Sequence, residues 1–223
     1  MNEPDAGFRD PTVLTKWTRG LLYTSLAVSL VSAYIGSVFV TSGVEYEGSF
    51  TALLAAGFLW GTFVNLVALV TGILVLMWIY RANYNARQLG AADMEFTPGW
   101  AVGWYFVPIA WFWKPYQAMR EIWKASTDPS NWRERSGSPL LGWWWALWLV
   151  PLWVLGSVSY TVTRDMEEGR AERIDALYGI AIDALDVALA LVLLVIIRRI
   201  HQMQTGHWSR QRTEAAEARQ PVE

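Results

Sequence analysis

The chain has 223 residues, more than half of them apolar, with 15 tryptophans and a formal net charge of −2. It has no cysteine, which excludes disulfides and thiolate metal sites. The near-neutral charge supplies no bulk field for nucleic acid. The length suits one domain, but the apolar residues lie in blocks rather than in the narrow stripes of soluble helices. Tryptophan in such numbers suits the water–lipid interface, where the ring is apolar and its N–H is wet.

Residues 1–16 are short, polar and proline-containing, and read as a disordered N-terminus. A membrane domain follows over 17–204, with a tail at 205–223. A spanning helix needs about 20 apolar residues. Four blocks qualify, at about 20–41, 57–80, 140–161 and 178–197. The first is too long for a signal-peptide core and has no small-residue cleavage site after it, so it reads as a retained span. Its row Ser25, Ser29, Ala33 and Ser37 reads as a helix-packing face. The second helix is expected to run on past Tyr80 and to stop at Gly90.

Residues 98–113 are uncharged but fenced by Pro98 and Pro115, and broken by Pro108. The choices are re-entrant, interfacial or spanning. About 24 Å of helix is short of the roughly 30 Å hydrocarbon core, and Pro108 removes a helix hydrogen bond. Charge separates the choices further. If the stretch does not cross, fifteen Lys and Arg share one side and only Arg164, Arg170 and Arg173 lie on the other; if it crosses, the split is eight to ten. Cytoplasmic loops carry the Lys/Arg excess. The expectation is an all-α integral membrane protein with four transmembrane helices and both termini cytoplasmic. The Trp/Pro-rich segment 98–113 is then re-entrant or interfacial.

Residues 115–126 read as a cytoplasmic amphipathic helix. Tyr116, Met119, Ile122, Trp123 and Ser126 fall on one face, with Gln117, Arg120, Glu121 and Lys124 on the other. Arg81, Arg87, Lys114, Arg120 and Lys124 are candidate contacts for lipid headgroups, or ordinary flanking charge. Ser138 and Pro139 fit the N-cap and first position of the third span, which Pro151 is expected to kink.

The last span carries Asp175, Asp183 and Asp186 within about 80° of one face. With Arg198 at the interface, Asp186 and Asp183 lie about 18 and 22 Å in. On the same ruler Tyr34, Asn65, Ser157 and Tyr160 fall at about 21–25 Å, so the six residues form a candidate polar layer. Intramembrane acids mark ion and proton sites by default. The layer reads either as an outward vestibule for a proton or cation, or as a wet helix end. His201 and His207 lack the further ligands that a metal or haem would need, so no metal and no cofactor is expected. No phosphate loop, nucleophile elbow or His-based triad is present.

The segments "WIYRANYNARQLG" and "FTPGWAVGWYFVPIAWFWKPYQAMREIWKAS", followed by "LLGWWWALWL", resemble the bacterial membrane-protein family catalogued as domain of unknown function 4328. The resemblance rests on Arg81, Ala82 and Asn85, and on the run Pro98, Gly99, Trp100, Pro108, Lys114, Pro115, Gln117, Glu121, Ile122 and Trp123. It implies a bacterial plasma-membrane location and no assigned activity. The expected function is a non-enzymatic membrane protein acting through lipid or protein contacts, the protein partner being another membrane protein or a second copy. The alternative is a proton- or cation-coupled transport component using Asp183 and Asp186.

Overall fold

In the computed structural model the described residues are 7–42, 50–151 and 168–219, and among them the regular structure is all helical. Six α-helices follow in order: α1 (Thr12–Ser42), α2 (Phe50–Gln88), α3 (Pro98–Gly103), α4 (Lys114–Thr127), α5 (Pro139–Val150) and α6 (Glu168–Glu217). Short 3-10 turns cover Trp104–Phe106, Ala110–Phe112 and Trp132–Glu134. Three helices are long and apolar enough to cross a membrane, within Thr12–Val38, Ala55–Gln88 and Arg173–Glu217. The block expected as the third span begins as α5, and its remainder, with Ser157 and Tyr160, lies outside the described residues.

The chain divides into two units, and the three long helices contribute to both. The first contains residues 1–18, 74–142 and 195–223. Its core is dense: Trp78, Ile79, Met119, Ile122, Leu141, Ile196, Ile197 and Ile200 are fully buried. Alanines at 82, 86, 118 and 125 let the helices approach, because a methyl group leaves room for a neighbouring backbone. Thr15 ties three helices here. Its hydroxyl accepts from Trp78 Nε1 at 3.2 Å and lies 3.4 Å from His201 Nδ1. α6 runs on through the stretch expected as a tail. Trp208 stacks on Phe8 at 4.8 Å, and Gln211 donates to the Leu89 carbonyl at 3.1 Å.

The second unit holds residues 19–73 and 143–194. Small hydroxyls of α1 face α2: Ser25 Oγ lies 3.1 Å from Thr71 Oγ1, and Ser32 Oγ accepts from Trp60 Nε1 at 3.1 Å. A Cβ on Gly36 would sit 3.2 Å from Ile180 Cγ1, so this glycine lets α1 meet α6 closely. These are small-residue and polar contacts, the kind that hold helices together where burial from water supplies no drive.

Candidate functional site

The segment 98–113 rests on a cradle made by the end of α2, the loop 91–97 and α4. α2 ends where expected. Gly90 adopts φ 108°, its N–H donates to Arg87 O, and the Ala91 N–H donates back to Ala86 O. This pair of bonds is a Schellman cap, which satisfies two orphan carbonyls and turns the chain sharply. The loop 91–97 then lies against α2 and α4 and is gripped by side chains. Arg87 reaches the Asn83 amide oxygen at 3.3 Å and the Met94 and Phe96 carbonyls at 2.8 Å each. Asn83 also donates to Phe96 O at 3.0 Å.

Glu121 closes the grip from α4. It is only 6% exposed, and its two carboxylate oxygens accept from the Glu95 and Phe96 amides. Sequence periodicity placed Glu121 on the polar outer face of the amphipathic helix; the structure places it inward. Burial outweighs the two amide donors and nearby Arg87, so the carboxyl titrates above its ordinary 4.5. Lys114 fastens the same point from outside. Its ammonium pairs with Glu95 at 3.1 Å and lies over the Phe96 and Trp104 rings.

From this base the chain rises and returns. Thr97 caps α3 by accepting from Trp100 N, and Pro98 fills the first turn, where its missing N–H costs nothing. Trp100 and Trp104 pack ring to ring at 4.9 Å. At the apex Ile109 has φ 66° and ψ −52°, and the Ala110 N–H donates to Pro108 O at 2.8 Å. That is a γ-turn of the rare, strained hand, on a β-branched residue that avoids positive φ. Strain of this kind costs about 1–3 kcal/mol and persists only where the surroundings impose it. The apex is also bare: Phe106 is 72% and Ile109 71% exposed, and Trp100 and Trp113 are exposed beside them. No helix in the segment exceeds six residues, about 9 Å, and Lys114 after it pairs with Glu95 before it, so the two ends of the segment lie together.

The candidate headgroup residues are differently disposed. Arg87 is half-buried and engaged as above. Arg81 donates to Asp10 O at 3.4 Å. Lys124 donates to Arg133 O at 2.9 Å and lies over the Trp132 ring. Arg120 is exposed and lies against Gly137.

The polar-layer residues are placed as follows. Tyr34 is exposed, and Asn65 donates to Gly61 O of its own helix at 2.7 Å. Asp183 is half-buried and Asp186 exposed, one turn apart on α6. His207 Nε2 lies 3.2 Å from Thr127 O, and no group of three metal-ligating side chains occurs among the described residues.

The residues that carried the resemblance to a family have structural employment here. Asn85 exchanges two hydrogen bonds with Arg9, donating to its carbonyl at 2.8 Å and accepting from its amide at 3.1 Å. The Ala82 carbonyl accepts from buried Gln204 at 2.8 Å, and Gln204 also donates to Ser126. Gln204 and Asn83 stand out little in the sequence, each lying close to a second amide, Gln202 and Asn85. Comparison with curated proteins and with solved structures finds no match. A family profile matches residues 46–202, which include the whole cradle, and the chain belongs to that family, described as "Domain of unknown function (DUF4328)".

Proposed function

We propose that the protein is a non-enzymatic, four-span protein of the bacterial plasma membrane that acts by presenting the aromatic hairpin 98–113 to the lipid interface. Both termini are cytoplasmic in this reading, as the fifteen-to-three division of Lys and Arg supports. The observation that carries it is the bare apex, Phe106 to Ile109, held on a strained turn above a base locked by Glu121, Arg87 and Lys114. A soluble surface has no use for bulky apolar residues fixed outward in this way, whereas an interface accepts them. Lipids are the first partner, and a membrane protein or a second copy meets the same surface.

The chain has no native cysteine, so Ile109→Cys gives one label site. With an environment-sensitive dye there, the emission should shift to the blue and be quenched by brominated acyl chains. Emission identical to that of a label at exposed Asp93 would reject the reading.

A second reading is favoured by one observation. Asp183 and Asp186 stand one turn apart in the apolar part of α6. Acids placed so deep serve proton or cation coupling elsewhere. Asp183→Asn and Asp186→Asn should then abolish a proton or cation flux measured in liposomes. A bilayer made no leakier by the wild-type protein leaves the contact role standing alone.

A further inference from the structure

A second feature lies on the other side of α4. A cleft of about 570 Å³ is walled by α4, the loop 135–138 and α6. Its size is that of a small-ligand site. Trp123 and Met203 give it an apolar wall, and Arg135, Ser136, Arg199 and Gln202 give it polar groups.

The charges are unbalanced. Arg135 forks onto Asp128 Oδ2 through Nε at 3.1 Å and its terminal nitrogen at 2.7 Å. That contact holds the Asp128 carboxyl below its ordinary value, so the pair stays ionised and Arg135 stays oriented. Arg199 lines the cleft, and among the described residues it has no ion pair. A third guanidinium lies close by. A Cβ on Gly137 would fall 3.1 Å from Arg120 Cγ and 3.2 Å from its Nε, so this glycine leaves room for Arg120 to lie close against the loop. Two arginines thus line the cleft, Arg135 held by Asp128 and Arg199 without an ion pair among the described residues, and Arg120 lies behind Gly137.

The donors fit one chemistry. Guanidinium groups bind phosphate through paired N–H donors. Ser138 Oγ accepts from the Leu140 amide at 3.3 Å, which leaves its own hydrogen to donate. The cleft also lies where apolar sequence begins and ends. α5 opens at Pro139, and the apolar run of α6 gives way to Arg198 and Arg199 after Ile197.

We infer that this cleft is a binding site for a phosphate group, the phosphodiester of an anionic lipid headgroup or a soluble phosphate ester, held by Arg199, Arg135 and the Ser136–Gly137–Ser138 loop. The lipid form rests on the membrane reading above but not on the role of the hairpin.

The test uses the full chain in nanodiscs and in neutral detergent. Binding is followed by the thermal unfolding midpoint, which a ligand specific to the folded state raises. Phosphatidylglycerol should raise it and phosphatidylcholine should not. Arg199→Gln and Ser136→Asp should each weaken half-saturation by about tenfold or more, equivalent to about 1.4 kcal/mol. Arg198→Gln, one residue away and outside the cleft, should leave it within about twofold, a shift of well under 1 kcal/mol. Stabilisation by millimolar inorganic phosphate without lipid assigns the site to a soluble ester; stabilisation by the lipid alone assigns it to a headgroup. Equal losses in Arg198→Gln and Arg199→Gln mean a diffuse basic surface and overturn the site. So does no response to either phosphate source. A chain that is stripped from liposomes by alkaline carbonate defeats the membrane reading itself, whereas a retained chain without headgroup preference defeats only this inference.

Discussion

Two residues set the character of the hairpin, Ile109 at its tip and Glu121 at its root. Ile109 holds φ 66°, where glycine sits without penalty. Ile109→Gly should therefore raise the stability of the detergent-solubilised protein by about 1 kcal/mol, read by chemical or thermal unfolding. It should at the same time weaken liposome association, since one of the two most exposed apolar side chains of the apex is lost. Glu121→Gln removes one of two acceptors and sets an N–H₂ against a backbone N–H, so it should cost about 1–3 kcal/mol. The pH dependence has a definite sign. The Glu121 carboxyl is raised above 4.5 when folded, so above that pH the folded state holds the extra proton. Stability falls as pH rises through the window from 4.5 to the raised value. The contribution of Glu121 to the slope should vanish in Glu121→Gln. A slope unchanged by the substitution would show that the grip on the loop does not titrate.

Local signals made the elements legible where chemistry is local. Gly90 as a stop, Ser138 and Pro139 as a start, and the continuation of α2 past Tyr80 all follow from single residues and appear in the structure. Gly90→Ala should cost about 1–2 kcal/mol, because φ 108° is strained for any residue with a Cβ. Glu121 was not legible by charge. Its line along α4 holds Ala118 and Ala125, both fully buried, and those two alanines were the sign that the face turns inward. The γ-turn was not legible either, since nothing in Val107–Pro108–Ile109 demands positive φ. It arises because a segment with no helix longer than six residues must reverse between two anchored ends. The apolar run Gly99–Trp113 resembles a span by composition, and its length, its prolines and the flanking charge argue otherwise.

At the scale of the molecule, composition conveyed a helical membrane protein, and three helices of sufficient length and apolarity bear that out. It did not convey the contacts of Asn85 and Gln204, because Asn85 bonds the backbone of Arg9, 76 residues away, and Gln204 bonds the Ala82 carbonyl and the Ser126 hydroxyl, 122 and 78 residues away. Backbone acceptors leave no mark on a side-chain pattern. Asn85→Ala should unfasten the residues around Arg9 at a cost of about 1–3 kcal/mol, seen as faster hydrogen exchange there. In the proposed topology the chain enters and leaves the hairpin on one side of the membrane. Single cysteines at Ala92 and Ser130 flank the hairpin, and one at Arg170 precedes the last apolar run; all three positions are exposed. An impermeant thiol reagent on sealed, oriented vesicles measures each. Positions 92 and 130 should react only from the cytoplasmic side and position 170 only from the other. Reaction of 92 and 130 from opposite sides would mean that 98–113 crosses, and would contradict that topology.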